Sequence, residues 1–308
     1  MAHKNPFPDG PEKQYLRRKH LVYLADRKSM LGRNLTYFGL PCVEMLDVEM
    51  WSPVLDSITA VEREEELIVP MKRRAQDIGV RGKFVVLEMT LLEASQSLAL
   101  DDQMAQLLIA QLSLPKQKAV QRARAIAYDV MNLDLYGGFL YPKEGEPPES
   151  VEILPNLIHH QAKHRHPFVL ILTYEARDTG AEDYDSFILE ALSQLEKVTN
   201  STKEVREYYT AKKIAKNPPH LRRLRFCVPV YLHKVAHDSY QVRSLGAWYY
   251  KQYYHTALLF EPREGQGSLG QPWPPADEIK ELLAAPLFRI DEKDGDVELK
   301  ELPAPIIP

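Results

Sequence analysis

The sequence of 308 residues contains only two cysteines, Cys42 and Cys227, which stand far apart along the chain. Two cysteines provide neither a disulfide framework nor a cysteine-rich metal centre, and they favour a reducing compartment. No apolar run reaches the roughly 20 residues that cross a bilayer, and residues 1–10 lack the apolar segment of a secretory signal. These absences predict a cytoplasmic protein with no membrane partner.

An excess of charge of one sign is missing as well. Lys plus Arg number 39 and Asp plus Glu number 43, which gives a formal net charge of −4. Overall charge therefore does not predict nucleic-acid binding, and only local basic stretches could contact phosphates of RNA or DNA. Three such stretches are residues 17–20, 159–166 and 212–225. The alternative for each stretch is an ordinary solvated helix face.

The sequence also lacks the common metal-binding patterns. His160 and His164 have the i, i+4 spacing that puts both side chains on one helix face. No glutamate joins them in a His-Glu-x-x-His pattern, so no metal site is expected.

Near-continuous apolar segments alternate with amphipathic ones along most of the chain. Strands are predicted at 34–40, 57–62, 83–89, 126–133, 167–174, 225–233 and within 240–260. Helices are predicted at 11–31, 43–52, 63–77, 98–112, 151–164, 181–198 and 202–215. This alternation is typical of a parallel sheet covered on both faces. We predict an α/β fold with a doubly wound, mostly parallel Rossmann-like sheet, helices on both faces and an antiparallel terminal hairpin.

Three regions follow from this order. Residues 1–33 are predicted to form an N-terminal helical extension, and residues 34–262 the Rossmann-like domain. Residues 263–308 are predicted to form a linker and a small C-terminal appendage, with a short helix near 276–284 and a hairpin turn at Asp294-Gly295-Asp296.

In open α/β sheets a ligand binds beyond the carboxyl ends of the strands, so the residues there are the first candidates. Gly39 ends the first strand and could let the backbone approach a ligand, or it could merely terminate the strand. Glu62 ends the second strand, where a carboxylate can accept the hydroxyls of a ribose, or it opens the acidic first turn of the next helix. Glu88 and Thr90 follow the third strand and could meet an adenine edge, or they lie in a solvated loop.

The end of the fourth strand is the most unusual segment of the sequence. Asn132 and Asp134 stand at the end of an apolar strand, where uncompensated polar groups are costly to bury. Tyr136 offers an aromatic face and Gly137 a tight turn, which together suit a flat base with an amino group. The alternative is a polar turn capped by Asp134. Tyr174 and Arg177, at and after the end of the fifth strand, are further candidates for contact with a substrate.

The order of elements and these strand ends resemble the class I S-adenosylmethionine-dependent methyltransferase superfamily over about residues 30–260. The fourth-strand segment Asn132-Leu-Asp-Leu-Tyr-Gly137 is most similar to the Asp-Leu-Asp-Pro-Tyr/Phe-Gly motif of tRNA guanine-N2 dimethyltransferases. It is also similar to the Asp-Pro-Phe-Gly motif of three-Cys-motif partner proteins. It differs from both in having Leu135 in place of proline, and the first strand lacks the usual Gly-x-Gly.

The resemblance implies S-adenosyl-L-methionine as cofactor. It places the methionine part near Gly39, the ribose at Glu62 and the adenine near Glu88 and Thr90. It implies catalytic roles for three residues of the fourth motif, namely Asn132, Asp134 and Tyr136.

The expected function is methyl transfer to an amino group of a nucleic acid. The alternative is a catalytically inactive Rossmann-like module that binds a partner protein or nucleic acid, for example in a multi-component system such as phage defence. An NAD-dependent enzyme is disfavoured, because the Gly-x-Gly-x-x-Gly fingerprint is absent.

Overall fold

The computed structural model describes residues 9–135, 149–175, 186, 188–193, 201–211, 219–263 and 278–302. Its helices are α1 (Pro11–Leu31), α2 (Leu46–Trp51), α3 (Glu65–Asp77), α4 (Leu91–Ala99), α5 (Asp102–Ile109), α6 (Leu114–Arg124), α7 (Glu149–His164), α8 (Ser201–Ala211), α9 (Pro219–Ala236) and α10 (Glu278–Ala284). Its strands are β1 (Leu35–Gly39), β2 (Leu55–Val61), β3 (Phe84–Leu87), β4 (Val130–Asp134), β5 (Phe168–Glu175), β6 (Tyr240–Tyr250), β7 (Tyr253–Pro262), β8 (Leu287–Lys293) and β9 (Asp296–Leu302).

These strands form one sheet in the order β3-β2-β1-β4-β5-β7-β6-β8-β9. Strands β1 to β5 pair in parallel, and β7 runs antiparallel to β5 and to β6. The strand order reverses between β1 and β4, which are hydrogen-bonded neighbours. The predicted mostly parallel Rossmann-like sheet with a terminal antiparallel hairpin is confirmed.

Each face of the sheet is covered by its own apolar core. Alternation along β4 places Met131 and Leu133 in one core, with helices α4 to α7, and Val130 in the other, with α1 and α2. Because both faces are buried, most residues of β4 and β5 are apolar. The two polar residues at the end of β4, Asn132 and Asp134, therefore need a local explanation.

Residues 225–233 were expected to be a strand and are part of helix α9. Residues 227–232 are all buried, and a helix buried on every side has the same continuous apolar pattern as a central strand. Pro229 inside this run argues against a strand, because a proline removes a hydrogen bond from the ladder. The terminal hairpin is therefore formed by β6 and β7, which turn at Lys251 and Gln252.

Two further boundaries differ from the sequence prediction. The helix expected at 98–112 is divided between α4 and α5, because Asp101 caps a new helix by accepting a hydrogen bond from the backbone of Met104. The strand expected at 126–133 begins only at Val130, after α6. The helices predicted at 181–198 and 202–215 extend beyond the described residues.

The C-terminal helix and hairpin lie where the sequence predicted them, with the turn at Asp294 and Gly295. Both of these residues have positive φ. Strand β8 pairs in parallel with β6, so the hairpin extends the central sheet.

Helix α1 lies across the sheet face that also carries α2. Its buried positions Leu16, His20 and Leu24 recur every four residues, as expected of one helix face. The helix ends at Gly32, whose left-handed conformation (φ 62°) suits glycine. Its first half lies over the carboxyl ends of β4 and β5, where Lys13, Leu16 and Arg17 line the cavity described below.

Candidate functional site

A cavity of about 60 Å³ lies at the carboxyl ends of the parallel strands, beside the point where the strand order reverses. It is enclosed by α1, the loop from β1 to α2, and the ends of β4, β5 and β7. The lining residues used below are Lys13, Arg17, His20, Cys42, Asp47, Asn132, Asp134, Thr173 and His255. This is the edge of the sheet at which Rossmann-like folds bind ligands.

Asn132 and Asp134 both face this cavity, because residues two apart in a strand share a face. The Asn132 amide nitrogen donates a hydrogen bond of 2.8 Å to Asp47 of α2. Asp134 forms an ion pair of 3.2 Å with the Lys13 ammonium. Its other oxygen, Oδ1, has no hydrogen-bond partner in the described part of the chain.

The environment of Asp134 alters its acidity. Burial raises the pKa of this carboxyl, and the negative charge of Asp47 adds to the rise, while the Lys13 ammonium opposes both. The net result is a raised pKa. A partly paired carboxyl with a raised pKa at the mouth of a sheet is typical of a functional group, because such a group can exchange protons with a ligand.

Arg17 connects α1 to the rest of the site. Its guanidinium contacts the carboxylates of Asp9 and Asp47, and its backbone carbonyl accepts a hydrogen bond of 3.0 Å from the Trp51 indole. Asp47 therefore holds both Arg17 and Asn132. These contacts fix the first turns of α1 above the end of β4.

A row of polar residues crosses β4, β5 and β7 in register, from Asp134 to Thr173 to His255. The Thr173 hydroxyl is 2.8 Å from His255 Nδ1, and His255 Nε2 is 2.7 Å from Nε2 of His20 on α1. Burial lowers the pKa of His20 to about 3 and lowers the pKa of His255 well below its usual value. Both rings are therefore neutral near pH 7, so one donates and the other accepts in their hydrogen bond.

The loop between β1 and α2 lacks glycine but adopts the backbone conformation that glycine favours. Cys42 has φ 53° and Met45 has φ 51°, both in the left-handed region. Such residues cost roughly 1–2 kcal/mol each relative to an ordinary conformation. Desolvation raises the pKa of Cys42 to about 12, helped by the nearby Asp134 and Asp47 carboxylates. The raised pKa disfavours the thiolate form near pH 7.

Gly39 is required by the packing of the protein itself. It pairs in register with Asn132, and a Cβ atom at this position would collide with the Asn132 carbonyl and the Tyr37 hydroxyl. The end of the first strand and the end of the fourth are therefore in direct contact.

Glu62 lies at the end of β2 on the same edge of the sheet, outside the cavity lining. One of its carboxylate oxygens accepts a hydrogen bond of 2.9 Å from the backbone N–H of Glu64. Its side chain is half-buried. The other carboxylate oxygen of Glu62 has neither a hydrogen-bond partner nor an ion-pair partner among the described residues.

Glu88 and Thr90, expected near an adenine, have other partners in this structure. Glu88 forms an ion pair of 3.1 Å with Lys72. Thr90 caps helix α4 in a capping box: its hydroxyl accepts from the Glu93 backbone at 3.1 Å, and Glu93 accepts from the Thr90 backbone at 2.8 Å. The Thr-x-x-Glu spacing was the sequence signal for this cap.

Of the four remaining predicted site residues, one lies in the apolar core and three lie outside the described residues. Tyr174 is fully buried in the core on the face opposite the cavity, while its neighbour Thr173 lines the cavity. Tyr136, Gly137 and Arg177 lie outside the described residues.

The basic stretches have mixed roles. In residues 159–166, His160 is buried and 2.9 Å from the Ile126 carbonyl, and His166 is 2.7 Å from the Asp129 carboxylate, so both stabilise the fold. In residues 17–20, Arg18 and Lys19 are exposed. In residues 212–225 only part of the stretch is described.

Among the described residues no group of three or more His, Cys, Asp or Glu side chains could hold a metal ion. No described helix is long and apolar enough to cross a membrane.

Sequence reasoning missed most partners of Asp134 and Asn132. Lys13 and Asp47 come from helices distant in sequence, and nothing in their local pattern indicates the contact. The two buried histidines did carry a signal: His20 lies on the apolar face of α1, and His255 interrupts an apolar strand.

Several solved structures are similar in fold to this chain. EvdMO1 is 11% identical with a TM-score of 0.39, and the match covers 79% of this chain and 41% of EvdMO1. Trm1 from Pyrococcus horikoshii, solved with S-adenosyl-L-methionine, is 14% identical with a TM-score of 0.44, covering 100% of this chain and 68% of Trm1. An rRNA methylase from Streptococcus thermophilus is 6% identical with a TM-score of 0.41, covering 84% and 99%. At these identities and TM-scores the matches carry no conclusion about function.

No curated protein matches the chain. A protein-family model described as PP_RS20740-like matches residues 9–223, which is more than two thirds of the sequence. The match includes α1, both strand ends that meet at Gly39 and Asn132, and all the described cavity-lining residues before β6. The chain therefore belongs to the PP_RS20740-like family.

Proposed function

We propose that this protein is an S-adenosyl-L-methionine-dependent methyltransferase that transfers a methyl group to an amino group of a nucleic acid. The observation that carries the proposal is the position of Asn132 and Asp134. Both lie at the carboxyl end of β4, beside the reversal of strand order, and both face a cavity. A carboxylate and an amide at this place can accept hydrogen bonds from an amino group and orient it.

The residues of the chain fit the proposed cofactor at two points. The half-buried Glu62 carboxylate has an oxygen available to accept hydrogen bonds from ribose hydroxyls. The cavity lining carries three carboxylates, Glu44, Asp47 and Asp134, against the two cations Lys13 and Arg17, and this excess of one negative charge suits a cation. When bound, the cofactor supplies a methyl group that is already activated on a cationic sulfur.

The chain itself positions the amine, accepts a proton and limits access by water. Asp134 accepts a hydrogen bond from the amine, and its raised pKa favours uptake of the proton that the amine loses. Asp47 fixes the amide of Asn132 through the 2.8 Å hydrogen bond. The buried side chains of Leu16 and Trp51 close the cavity on the side of α1 and α2.

A nucleic acid is the substrate class that agrees best with the surface of α1. Arg18 and Lys19 are exposed on the helix whose other face lines the cavity. They offer cations for phosphate groups on the outer face of this helix.

Calorimetric titration with S-adenosyl-L-methionine and S-adenosylhomocysteine tests the proposal. We expect binding by the intact protein, weakened by about ten- to a hundredfold in Glu62→Gln, because a hydrogen bond to a charged group contributes about 1.5–3 kcal/mol. Glu65→Gln is the matched control, since Glu65 is exposed one turn further along the chain, and it should bind like the wild type. Methyl transfer to RNA and DNA is then screened with Asp134→Asn as the inactive reference.

A well-folded protein that binds neither compound would contradict the proposal. It would favour the second candidate function, an inactive Rossmann-like module that binds a partner. The observation that favours this second candidate is the loop from β1 to α2. The loop contains no glycine, although Cys42 and Met45 have left-handed backbone conformations.

A further inference from the structure

Lys13 is placed where the amino group of a substrate is expected. Its Nζ atom is 3.2 Å from Asp134 Oδ2, and it lines the same cavity as Asn132 and Cys42. The Lys13 side chain is only 13% exposed. A primary amine of this chain therefore lies inside the candidate active site, in hydrogen-bonding contact with the carboxylate that is proposed to hold the acceptor.

The surroundings keep Lys13 in this position. Arg17, one turn further along α1, contacts Asp47, and Glu12 forms an ion pair of 3.2 Å with Lys251 at the turn between β6 and β7. These contacts on either side of Lys13 hold the first turns of α1 against the sheet. An acceptor held in this way has already lost much of the freedom that an external substrate has to give up.

We propose that Lys13 is itself a methyl acceptor, so that the protein methylates its own N-terminal helix. This inference rests on the proposed function, because the methyl donor is the sulfonium compound proposed above. The Lys13 ammonium transfers a proton to Asp134 across the 3.2 Å hydrogen bond. The free electron pair of the nitrogen then forms the new N–C bond, while the C–S bond breaks and its electron pair stays on sulfur, which leaves as a neutral thioether.

The contact between Lys13 and Asp134 can be tested without any cofactor. In the purified full-length protein, brief acetylation with an activated acetate ester followed by peptide mass spectrometry compares Lys13 with Lys19. Lys19 is exposed on the same helix. We expect Lys13 to react about tenfold more slowly than Lys19, since a charge-assisted hydrogen bond contributes about 1.5–3 kcal/mol. Asp134→Asn should bring the two rates closer together.

Incubation of the same protein with S-adenosyl-L-methionine, with no other substrate, tests the modification. We expect one or more methyl groups on Lys13 in the wild type and in the control Lys118→Arg, which changes an exposed lysine of α6, and none on Lys13 in Asp134→Asn. The methylation of Lys13 is also measured before the donor is added, in the wild type and in Asp134→Asn. This comparison shows how much methylation has already occurred in the expression host.

Three results would overturn the inference. If calorimetry shows that the donor binds but Lys13 stays unmodified, or if only other lysines are modified, self-methylation at Lys13 is wrong and the proposed function stands. If the donor does not bind, the proposed function and the self-methylation fail together. Equal acetylation of Lys13 and Lys19 would likewise contradict the placement of Lys13 in the site.

Discussion

One aspartate lies just before strand β4 and another ends the strand, and the two have opposite environments. Asp129, just before the strand, accepts hydrogen bonds from both terminal nitrogens of the Arg33 guanidinium at 2.8 and 3.0 Å. It also accepts from the Thr36 backbone at 2.8 Å and contacts His166 at 2.7 Å. Asp134, at the carboxyl end, has the Lys13 ammonium at 3.2 Å, and its Oδ1 atom has no hydrogen-bond partner in the described part of the chain.

The pKa values follow this difference in partners. Burial acts to raise the pKa of Asp129, but hydrogen bonds from His166, Arg33 and the Thr36 backbone outweigh it and lower the pKa to about 2. At Asp134 burial outweighs Lys13, and the pKa is raised. One residue type on one strand thus serves stability where its hydrogen bonds are complete, and is available for chemistry where they are not.

The largest expected effect is the loss of stability in Asp129→Ala. Removing this buried carboxylate should cost about 3 kcal/mol, because the Arg33 guanidinium and the Thr36 N–H lose charge-assisted hydrogen bonds that contribute about 1.5–3 kcal/mol each. The free energy of unfolding, measured by urea titration, should fall by about that amount. Asp134→Asn should stay within about 1 kcal/mol of the wild type, as is usual for an incompletely bonded site. Equal losses in the two variants would remove the distinction between the two ends of β4.

The pH dependence of stability should separate the two carboxyls next. A group whose pKa is lower in the folded state stabilises the protein above its unfolded pKa and loses that contribution as the pH falls through its folded pKa. For Asp129 the pKa falls from its ordinary value of 3.8 to about 2, and the contribution to stability at neutral pH is about 2 kcal/mol. The contribution of Asp134 to the pH dependence of stability has the opposite sign. Because its pKa is raised in the folded protein, Asp134 makes the folded protein less stable as the pH rises. As the pH is lowered through the range between these two pKa values, the urea midpoint should fall less steeply in Asp129→Asn than in the wild type.

A smaller effect is expected from removing the cation beside Asp134. The Lys13 ammonium is the strongest influence that lowers the pKa of Asp134, so Lys13→Met should raise that pKa further. The side-chain carboxyl resonance of Asp134, followed by NMR through a pH titration, measures it. Lys19→Met provides the control, since Lys19 is exposed on the same helix. An unchanged Asp134 titration in Lys13→Met would show that the ion pair does not form in solution.

The smallest effect concerns the loop that leads from β1 to the site. Cys42 has φ 53°, so Cys42→Gly relieves a left-handed conformation and should stabilise the protein by about 0.5–1 kcal/mol after the entropy of glycine in the unfolded chain is counted. Gly79→Ala is the converse change: Gly79 has φ 75° with open space around it, and the added methyl group should destabilise by about 1 kcal/mol. Thermal unfolding of both variants checks the pair, and destabilisation by Cys42→Gly would show that its side chain packs favourably.

The local sequence predicted most of the sheet and one part of the site. Apolar strands β1 to β5, the amphipathic face of α1 and the polar end of β4 all follow from periodicity and from the cost of burying polar groups. The segment 225–233 could not be assigned in this way, because a fully buried helix and a fully buried strand have the same apolar pattern. The need for glycine at position 39 could not be predicted from the local sequence either. It arises because β1 pairs with β4, so that a Cβ atom on residue 39 would collide with the Asn132 carbonyl from a distant part of the chain.

The sequence by itself determined the kind of fold and that Asn132 and Asp134 need partners. Only the tertiary structure decided which partners these are. Lys13 and Asp47 reach the end of β4 from helices α1 and α2, which are separated from it by 121 and 85 residues along the chain. Electrostatic and hydrogen-bond interactions depend on distance in space, and nothing in the local pattern of either helix encodes that distance. The same reason explains why two aspartates five residues apart along β4 differ so strongly in acidity.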